Sequence, residues 1–381
     1  MDKNYDIVIV GAGPAGSSLA FYLAQSKLKV ALIDEEKFPR KKVCAGGLSN
    51  RVFSVLPFDI SSIIECEISK ITLAHGLKKE FTRSYDKRLV AMIKREKFDD
   101  FLVQKAKEAG AEFFDGQRIE NIFFEKDNWQ INTSTNFFQG KILVGADGAD
   151  SFVAKNIGLN PIDFMGVAIQ VEIPASLAKN YSALNAQTIF LDLGTIKHCY
   201  GWVFPKSDLF SIGVGGPITS GQQLKLYLFE LLKYLGVKTD NLNLTGHLFN
   251  HRTSGKPITA KQALLVGEAA GLVDYWTGEG IFYAIKSAKI AAKQIKRFFE
   301  GHKKAIGDYE TDINQQIMPE LKASKKLSGI LMPISSFVFN VLKNNDRSWN
   351  TFCRVIRGDK TFFELKKRLR PDVILKKLLF G

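Results

Sequence analysis

The chain has 381 residues, 45% of them apolar, and a formal net charge of +14 from 53 Lys and Arg against 39 Asp and Glu. This balance excludes disordered and fibrous classes, and the length suits two domains around a sizeable core. The four cysteines, Cys44, Cys66, Cys199 and Cys353, form no CxxC pair, which argues against zinc-ribbon, iron–sulfur and disulfide-scaffold proteins and fits a reducing compartment.

The polar start passes straight into an apolar run, YDIVIV at 5–10, with no signal-peptide layout, so the expected location is cytoplasmic. A Gly-rich turn at 11–16, a helical stretch to about Ser26 and a second apolar run at 28–34 make one βαβ unit. A polar segment follows at 35–51, and 68–92 alternates like β-hairpins. Residues 95–109 have helical spacing, with Phe98, Phe101, Leu102 and Ala106 on one face. Short strands are predicted over 111–144, antiparallel strands over 165–173 and 187–215, and a helix over 220–235. A strand at 262–266 leads into another Gly-rich stretch and a helix over 279–299; from 301 the chain reads as helical and basic.

The charge is concentrated at the end: residues 321–381 hold 14 Lys and Arg and 4 Asp and Glu. Such a surplus is either a solvated helical surface or a match for anionic lipid or an acidic partner. Within it, 327–342 (LSGILMPISSFVFNVL) is 16 residues without a charge, shorter than the roughly 20 apolar residues of a membrane span. Ile334, Phe337, Val338, Val341 and Leu342 share one helical face. Two readings stay open: a helix packed on the body, or an interfacial helix beside basic residues.

Three Gly-rich turns carry the chemistry. The first, Gly11-Ala12-Gly13-Pro14-Ala15-Gly16, follows a strand, opens a helix, and is answered by an acid, Asp34, at the end of the next strand. Gly11 permits the tight turn, Gly13 lets backbone approach a pyrophosphate, and Gly16 lets helix and strand pack closely. The free N–H groups of the helix start then meet the phosphates, and Asp34 accepts from a ribose hydroxyl. The second turn, Gly145-Ala146-Asp147-Gly148, and the third, Gly267-Glu268-Ala269-Ala270-Gly271, each follow an apolar strand and set a carboxylate beside glycines.

In this order the three turns resemble the p-hydroxybenzoate-hydroxylase-like FAD proteins, and within them the geranylgeranyl reductase family. The likeness rests on Lys37-Phe38-Pro39-Arg40 running to Cys44-Ala45-Gly46-Gly47-Leu48, the DG stretch, Tyr200-Gly201-Trp202-Val203-Phe204-Pro205, and Gly267 through Thr277-Gly278-Glu279-Gly280-Ile281. It spans about residues 5–300; beyond that only the helical, basic character is shared. The resemblance implies an α/β fold: a Rossmann-like FAD-binding domain from 1–60, 91–160 and 255–300, an inserted β-rich substrate domain from 61–90 and 161–254, and a helical C-terminal region, 301–381.

It also implies roles. Gly11, Gly13, Ala15, Gly16 and Asp34 match ADP-binding positions, and Arg95 matches an arginine near the flavin's phosphate and ribityl side. Asp147 is the DG aspartate, and Gly267 and Glu268 match the glycine and acid at the ribityl chain. Gly278, Gly280 and Ile281 match the turn whose N–H groups face the flavin pyrimidine ring, where a helix start stabilises an anionic reduced flavin. The chain departs from the family at Glu268, where Asp is usual, and at Asp274-Tyr275-Trp276, where Pro is frequent and two aromatics are expected to narrow or reshape the cavity over the flavin. Cys44, Tyr200 and Trp202 are the candidate catalytic residues. Cys44 reads either as a small buried hydrophobe or as a group that positions substrate or assists protonation. Tyr200, Trp202 and Phe204 share one strand face, either a sheet core or the wall of a lipid cavity. The five histidines have no ligand spacing, so no metal is assigned.

The expected activity is FAD-dependent reduction of isoprenoid double bonds in a lipid, quinone or pigment side chain, by hydride from flavin N5. NAD(P)H or an acidic, ferredoxin-like protein is the expected electron donor, since no second dinucleotide fingerprint is present. An anionic membrane surface on the inner face is the expected place of work, and no nucleic-acid partner is expected. The alternative is an FAD-dependent monooxygenase using NAD(P)H and O2. Flavin halogenases carry Trp-x-Trp-x-Ile-Pro, where this chain has Tyr200-Gly201-Trp202-Val203-Phe204-Pro205.

Overall fold

Ile7, Val8 and Ile9 expose no surface, the condition of a parallel strand covered on both faces. In the computed structural model, which describes residues 3–178, 185–238 and 242–368, their strand, Lys3–Val10, is the centre of an eight-stranded sheet. Val30–Ile33 runs parallel on one side and Phe137–Gly145 parallel on the other. Glu112–Phe114 and Ala263–Leu265 extend the two flanks, and the hairpin of Ile119–Glu125 and Asn128–Thr133 pairs onto Phe137–Gly145. Helices Pro14–Ala24, Arg95–Glu108 and Ile281–Phe299 supply apolar faces to the same core.

A seven-stranded sheet is built from 70–84 and 164–251, with Thr188–Leu193 parallel to Lys70–His75 and its other pairs antiparallel. Helix Gly221–Tyr234 closes it from below through Leu224, Tyr227, Leu228 and Leu231. The strand Ile64–Ile68, read from sequence with the substrate domain, lies instead in a small third sheet with Gly47–Leu48 and Val90–Ile93. Here the alternation within 68–92 concealed a change of sheet. The polar 35–51 segment ends in a short helix, Asn50–Val55, for which the sequence offered no periodicity.

The C-terminal helices run Ala305–Gln316, Met318–Leu331, Ser335–Asn344, Asp346–Arg357 and Phe362–Arg368. The uncharged 327–342 stretch is the end of one helix and most of the next. Leu342 is buried and Val338 packs beside it against Ile71 and Leu73, while Phe337 is 51% exposed. No helix among the described residues is long and apolar enough to cross a membrane.

Candidate functional site

Ligands of open α/β sheets bind beyond the carboxyl ends of the strands, where the strand order reverses. Here the strands ending at Val10, Ile33, Gly145 and Leu265 lie side by side, and Gly11, Asp34, Asp147 and Glu268 follow them within three residues. They open on one cavity of about 1130 Å³. Every predicted site residue lines it except Gly16 and Gly267.

Each glycine of the first turn has its own reason. Gly11 has φ +99°, and a Cβ there would run into the Ala146 carbonyl. At Gly16 a Cβ would overlap the Gly11 carbonyl oxygen, so this residue locks the helix to the turn. Gly13 has an ordinary φ of −71°, and the nearest atom to its Cβ position is Arg40 Nη2 at 3.7 Å. Its freedom is therefore spent on the cavity side, where backbone meets ligand. No side chain caps the Pro14–Ala24 helix, which leaves its first N–H groups for an anion. Gly267, expected at the cofactor, has φ +59° and sits behind the cavity, where a Cβ would press on Ala15 and Ala284. Its role is close packing.

Asp34 is 7% exposed and accepts from the N–H of Ala12 (2.7 Å) and of Glu36 (3.0 Å), with Arg40 Nε at 3.7 Å. Burial pushes its carboxyl up; Arg40 and the two N–H groups pull the other way. Arg95 opens its helix and grips Asp99 through Nε (2.8 Å) and Nη2 (2.7 Å); Asp99 also lies 3.2 Å from Arg40. Arg95 is in electrostatic contact with Cys44, as is Tyr200. Lys42 lines the same cavity without a hydrogen-bond or ion-pair partner among the described residues; burial pushes its ammonium down, opposed by Glu268 and aided by Arg95 and Arg40. The sequence reading missed Arg40 and Lys42 as site residues. The signal was present in the basic run beside Cys44, but charge alone does not reveal which way a side chain turns.

Asp147 accepts from Ser151 Oγ (2.6 Å) and Val153 N (2.9 Å), and burial pushes its carboxyl up. Glu268 accepts from His247 Nε2 at 3.3 Å, and both line the cavity. His247 comes from strand Thr245–His251 of the second sheet, so nothing local pointed to it. The contact ties the turn after Ala263–Leu265 to the second sheet.

The flavin turn is organised by fully buried Asp274, whose Oδ1 accepts from Trp276 N (3.0 Å), Thr277 N (2.8 Å), Thr277 Oγ1 (2.9 Å) and Ser324 Oγ (2.8 Å). Tyr200 donates its hydroxyl to Thr277 O (2.8 Å), a tie from the substrate sheet to this turn, and burial pushes the phenol up. Tyr200, Trp202 and Phe204 form a ladder with ring centroids 5.7 and 6.5 Å apart. A Cβ on Gly213 would strike the Trp202 indole. Tyr275 and Trp276, expected to narrow the cavity, turn away from it. Tyr275 packs on Phe164 and His251, and Trp276 stacks on Phe362 at 5.5 Å.

His251 ties strand to turn: its Nδ1–H donates to Val273 O (2.9 Å), and burial pushes the imidazole below its ordinary value of 6.5, with Asp274 and Glu268 opposing and Lys325 assisting. Above pH 6.5 the ring is neutral in folded and unfolded chains alike. Below it the unfolded chain takes up the proton first, so stability falls as pH falls. The expected melting temperature is flat from about pH 8 to 6.5 and declines below, and His251→Gln flattens that limb. Melts of both proteins across this range check it; equal slopes would remove His251 as the cause.

The cradle fits FAD: a backbone turn open to a pyrophosphate, cations beside it, acids at ribose and ribityl positions, and a Gly278–Gly280 turn opening a helix. Among the described residues no His, Cys, Asp and Glu group of three gathers to hold a metal ion.

Comparison with known proteins agrees with this geometry. Residues 4–191 match the family described as FAD binding domain. An uncharacterized protein of Methanosarcina barkeri is 37% identical over 77% of this chain and 75% of its own. The geranylgeranyl diphosphate reductase of Rhodobacter capsulatus is 28% identical over 79% and 78%. The crystal structure of a geranylgeranyl bacteriochlorophyll reductase-like protein from Thermoplasma acidophilum has the same fold, with a TM-score of 0.80 over 91% of this chain and 93% of that one at 24% identity. With three strand-end turns facing one cavity and relatives matched across most of its length, the chain belongs to the geranylgeranyl reductase family of FAD-dependent oxidoreductases.

Proposed function

We propose that the protein reduces isolated carbon–carbon double bonds of an isoprenoid chain carried by a lipid, quinone or pigment. One observation carries the reading. The cavity that holds the cofactor positions continues, without a partition, to the Tyr200–Trp202–Phe204 ladder and an apolar wall. At about 1130 Å³ the cavity is larger than the roughly 300–1,000 Å³ of ordinary ligand pockets, and its lining passes from the cofactor positions to apolar and aromatic residues. The substrate in the name of the Rhodobacter relative is of the same kind.

Bound FAD, once reduced, supplies a hydride, which with one proton saturates an alkene. The chain's own share is positioning, since an isolated alkene offers no polar handle. Flat aromatic faces at Trp202 and Phe204 suit a polyene, and Tyr200 holds the Gly278 turn through Thr277. Cys44, half-buried, lines the cavity with Arg95 and Tyr200 and would orient the substrate or aid protonation. Gly11, Gly13, Ala15 and Asp34 serve the ADP side, Arg95 the flavin's phosphate and ribityl side, and Asp147, Glu268, Gly278, Gly280 and Ile281 the flavin side. Electrons come from NAD(P)H or an acidic carrier protein suited to a basic surface. Exposed Phe337 and Phe363, near Lys343, Lys366 and Lys367 in sequence, support a peripheral seat on anionic lipid.

The test is dithionite-reduced, anaerobic holoenzyme mixed with geranylgeranyl diphosphate, read by flavin absorbance and product mass. Reoxidation with hydrogens added in pairs is the expected result. Reoxidation only when air enters, with oxygen gained by the substrate, would make the protein a monooxygenase instead.

A further inference from the structure

Three residues of the cavity wall, Val355, Ile356 and Phe362, come from the last helices. They join two clusters. Ile356 packs against the same buried cluster, which includes Val90, as Phe204, the end of the aromatic ladder. Val355 and Phe362 pack with Trp276 of the flavin turn. The C-terminal helices therefore close the cavity from the ladder to the turn, and the wall they close it with is apolar.

This wall is fixed in place. Glu320 accepts the N–H of Phe362 (2.7 Å) and of Phe363 (2.8 Å). Thr361 and Glu364 exchange a capping pair (2.9 and 3.1 Å) that sets the start of the helix. Arg51 binds Glu279 of the flavin turn and reaches Glu320 at 3.7 Å. Gly358, at φ +82°, ends the Asp346–Arg357 helix tightly against the Arg51 side chain. Phe362 is only 5% exposed and is held at both ends of its contacts, so its ring marks a boundary that does not yield.

We infer that Phe362, with Val355 and Ile356, is the gauge of isoprenoid chain length in this enzyme: a specificity-determining wall supplied by the C-terminal helices. The inference rests on the proposed isoprenoid reductase activity. A phenyl ring and an isoprene unit are of similar bulk, so removing the ring makes room for one further unit, and adding an indole nearby removes one.

The test offers reduced holoenzyme an equimolar mixture of farnesyl, geranylgeranyl and geranylfarnesyl diphosphates with dithionite, and reads kcat/KM ratios from product masses. Phe362→Ala is expected to raise the ratio of longest to middle substrate about tenfold, and Ile356→Trp to move preference toward the shortest by a similar factor, the discrimination that apolar pockets give for small changes in bulk. FAD content by absorbance should match wild type in both. Ratios unchanged within about twofold in both FAD-loaded variants, with wild type active, overturn the gauge alone. If Phe362→Ala loses FAD, Ile356→Trp decides. A wild type that reduces none of the three removes the isoprenoid reading and the gauge with it.

Discussion

Gly16→Ala is expected to leave a chain that neither folds its first βαβ unit nor retains FAD, whereas Gly13→Ala folds normally and loses only the cofactor. The two glycines lie in one turn and differ in what stands opposite. A methyl at Gly16 meets the backbone oxygen of Gly11, in a turn already pinned by Gly11 at φ +99° against Ala146. No flexible side chain is there to give way. The cost is on the order of 5 kcal/mol, comparable with the whole stability of many domains. A methyl at Gly13 has 3.7 Å to its nearest neighbour and a backbone that any residue adopts, so the folded chain tolerates it. It stands where a pyrophosphate must touch backbone, and FAD affinity should fall about a hundredfold, on the order of 3 kcal/mol. Melts of the apoproteins and FAD titration by flavin fluorescence separate the two effects. A Gly13→Ala protein with wild-type affinity would refute the placement of the phosphates.

Arg51→Ala is expected to be the most damaging change away from the first turn. The Arg51 side chain is 13% exposed, and its two acidic partners, Glu279 and Glu320, are 16% and 12% exposed. Removing it leaves two poorly hydrated carboxylates without a cation, a loss of about 3–5 kcal/mol for a broken buried pair. Glu320 already has its carboxyl pushed up by burial, with the Phe363 and Phe362 N–H groups and Arg51 holding it down; without Arg51 it rises further. Glu279 also accepts from Ser49 Oγ (2.5 Å) and sits between Gly278 and Gly280, so FAD retention should fall together with stability. Arg51→Lys keeps a charge but loses the fork that reaches two acids, and should lie between. Urea unfolding with FAD content as a second readout checks this. A loss under about 1 kcal/mol would show that the network adds little.

Much of the cofactor half was legible because its signals are local. Gly11, Gly13 and Gly16 announce themselves by spacing, and Asp34, Asp147 and Glu268 by following apolar strands. The parts that escaped are long-range. Arg51 meets Glu279 and Glu320 across more than two hundred residues of sequence, and no periodicity records such a meeting. His247 reaches Glu268 only because two sheets abut. Trp276 looked like an obstruction over the flavin because Phe362, which draws it away, lies in a segment whose sequence showed nothing beyond helical spacing and positive charge. The face read over Ile334, Phe337, Val338, Val341 and Leu342 is only partly the buried one: the helix after Pro333 buries Phe339 and Leu342 in a cluster with Trp349 and leaves Phe337 exposed.

The central strand has a consequence for how the protein is made. Lys3–Val10 leaves the ribosome well before Phe137–Gly145, its pairing partner on one side in register Ile7 to Ile142, and before Ile281–Phe299, the helix that packs on its own helix. Domains built on such distant pairings fold slowly. The strand and its helix thus wait, with a strand edge and an apolar helix face uncovered, until Phe299 has been synthesised. The cavity waits longer still, since Phe362 of its wall follows later in the chain. Synthesis that stops short at residue 345 would yield a flavin cradle with its wall missing, a species exposed to aggregation and to quality control before it ever meets a substrate.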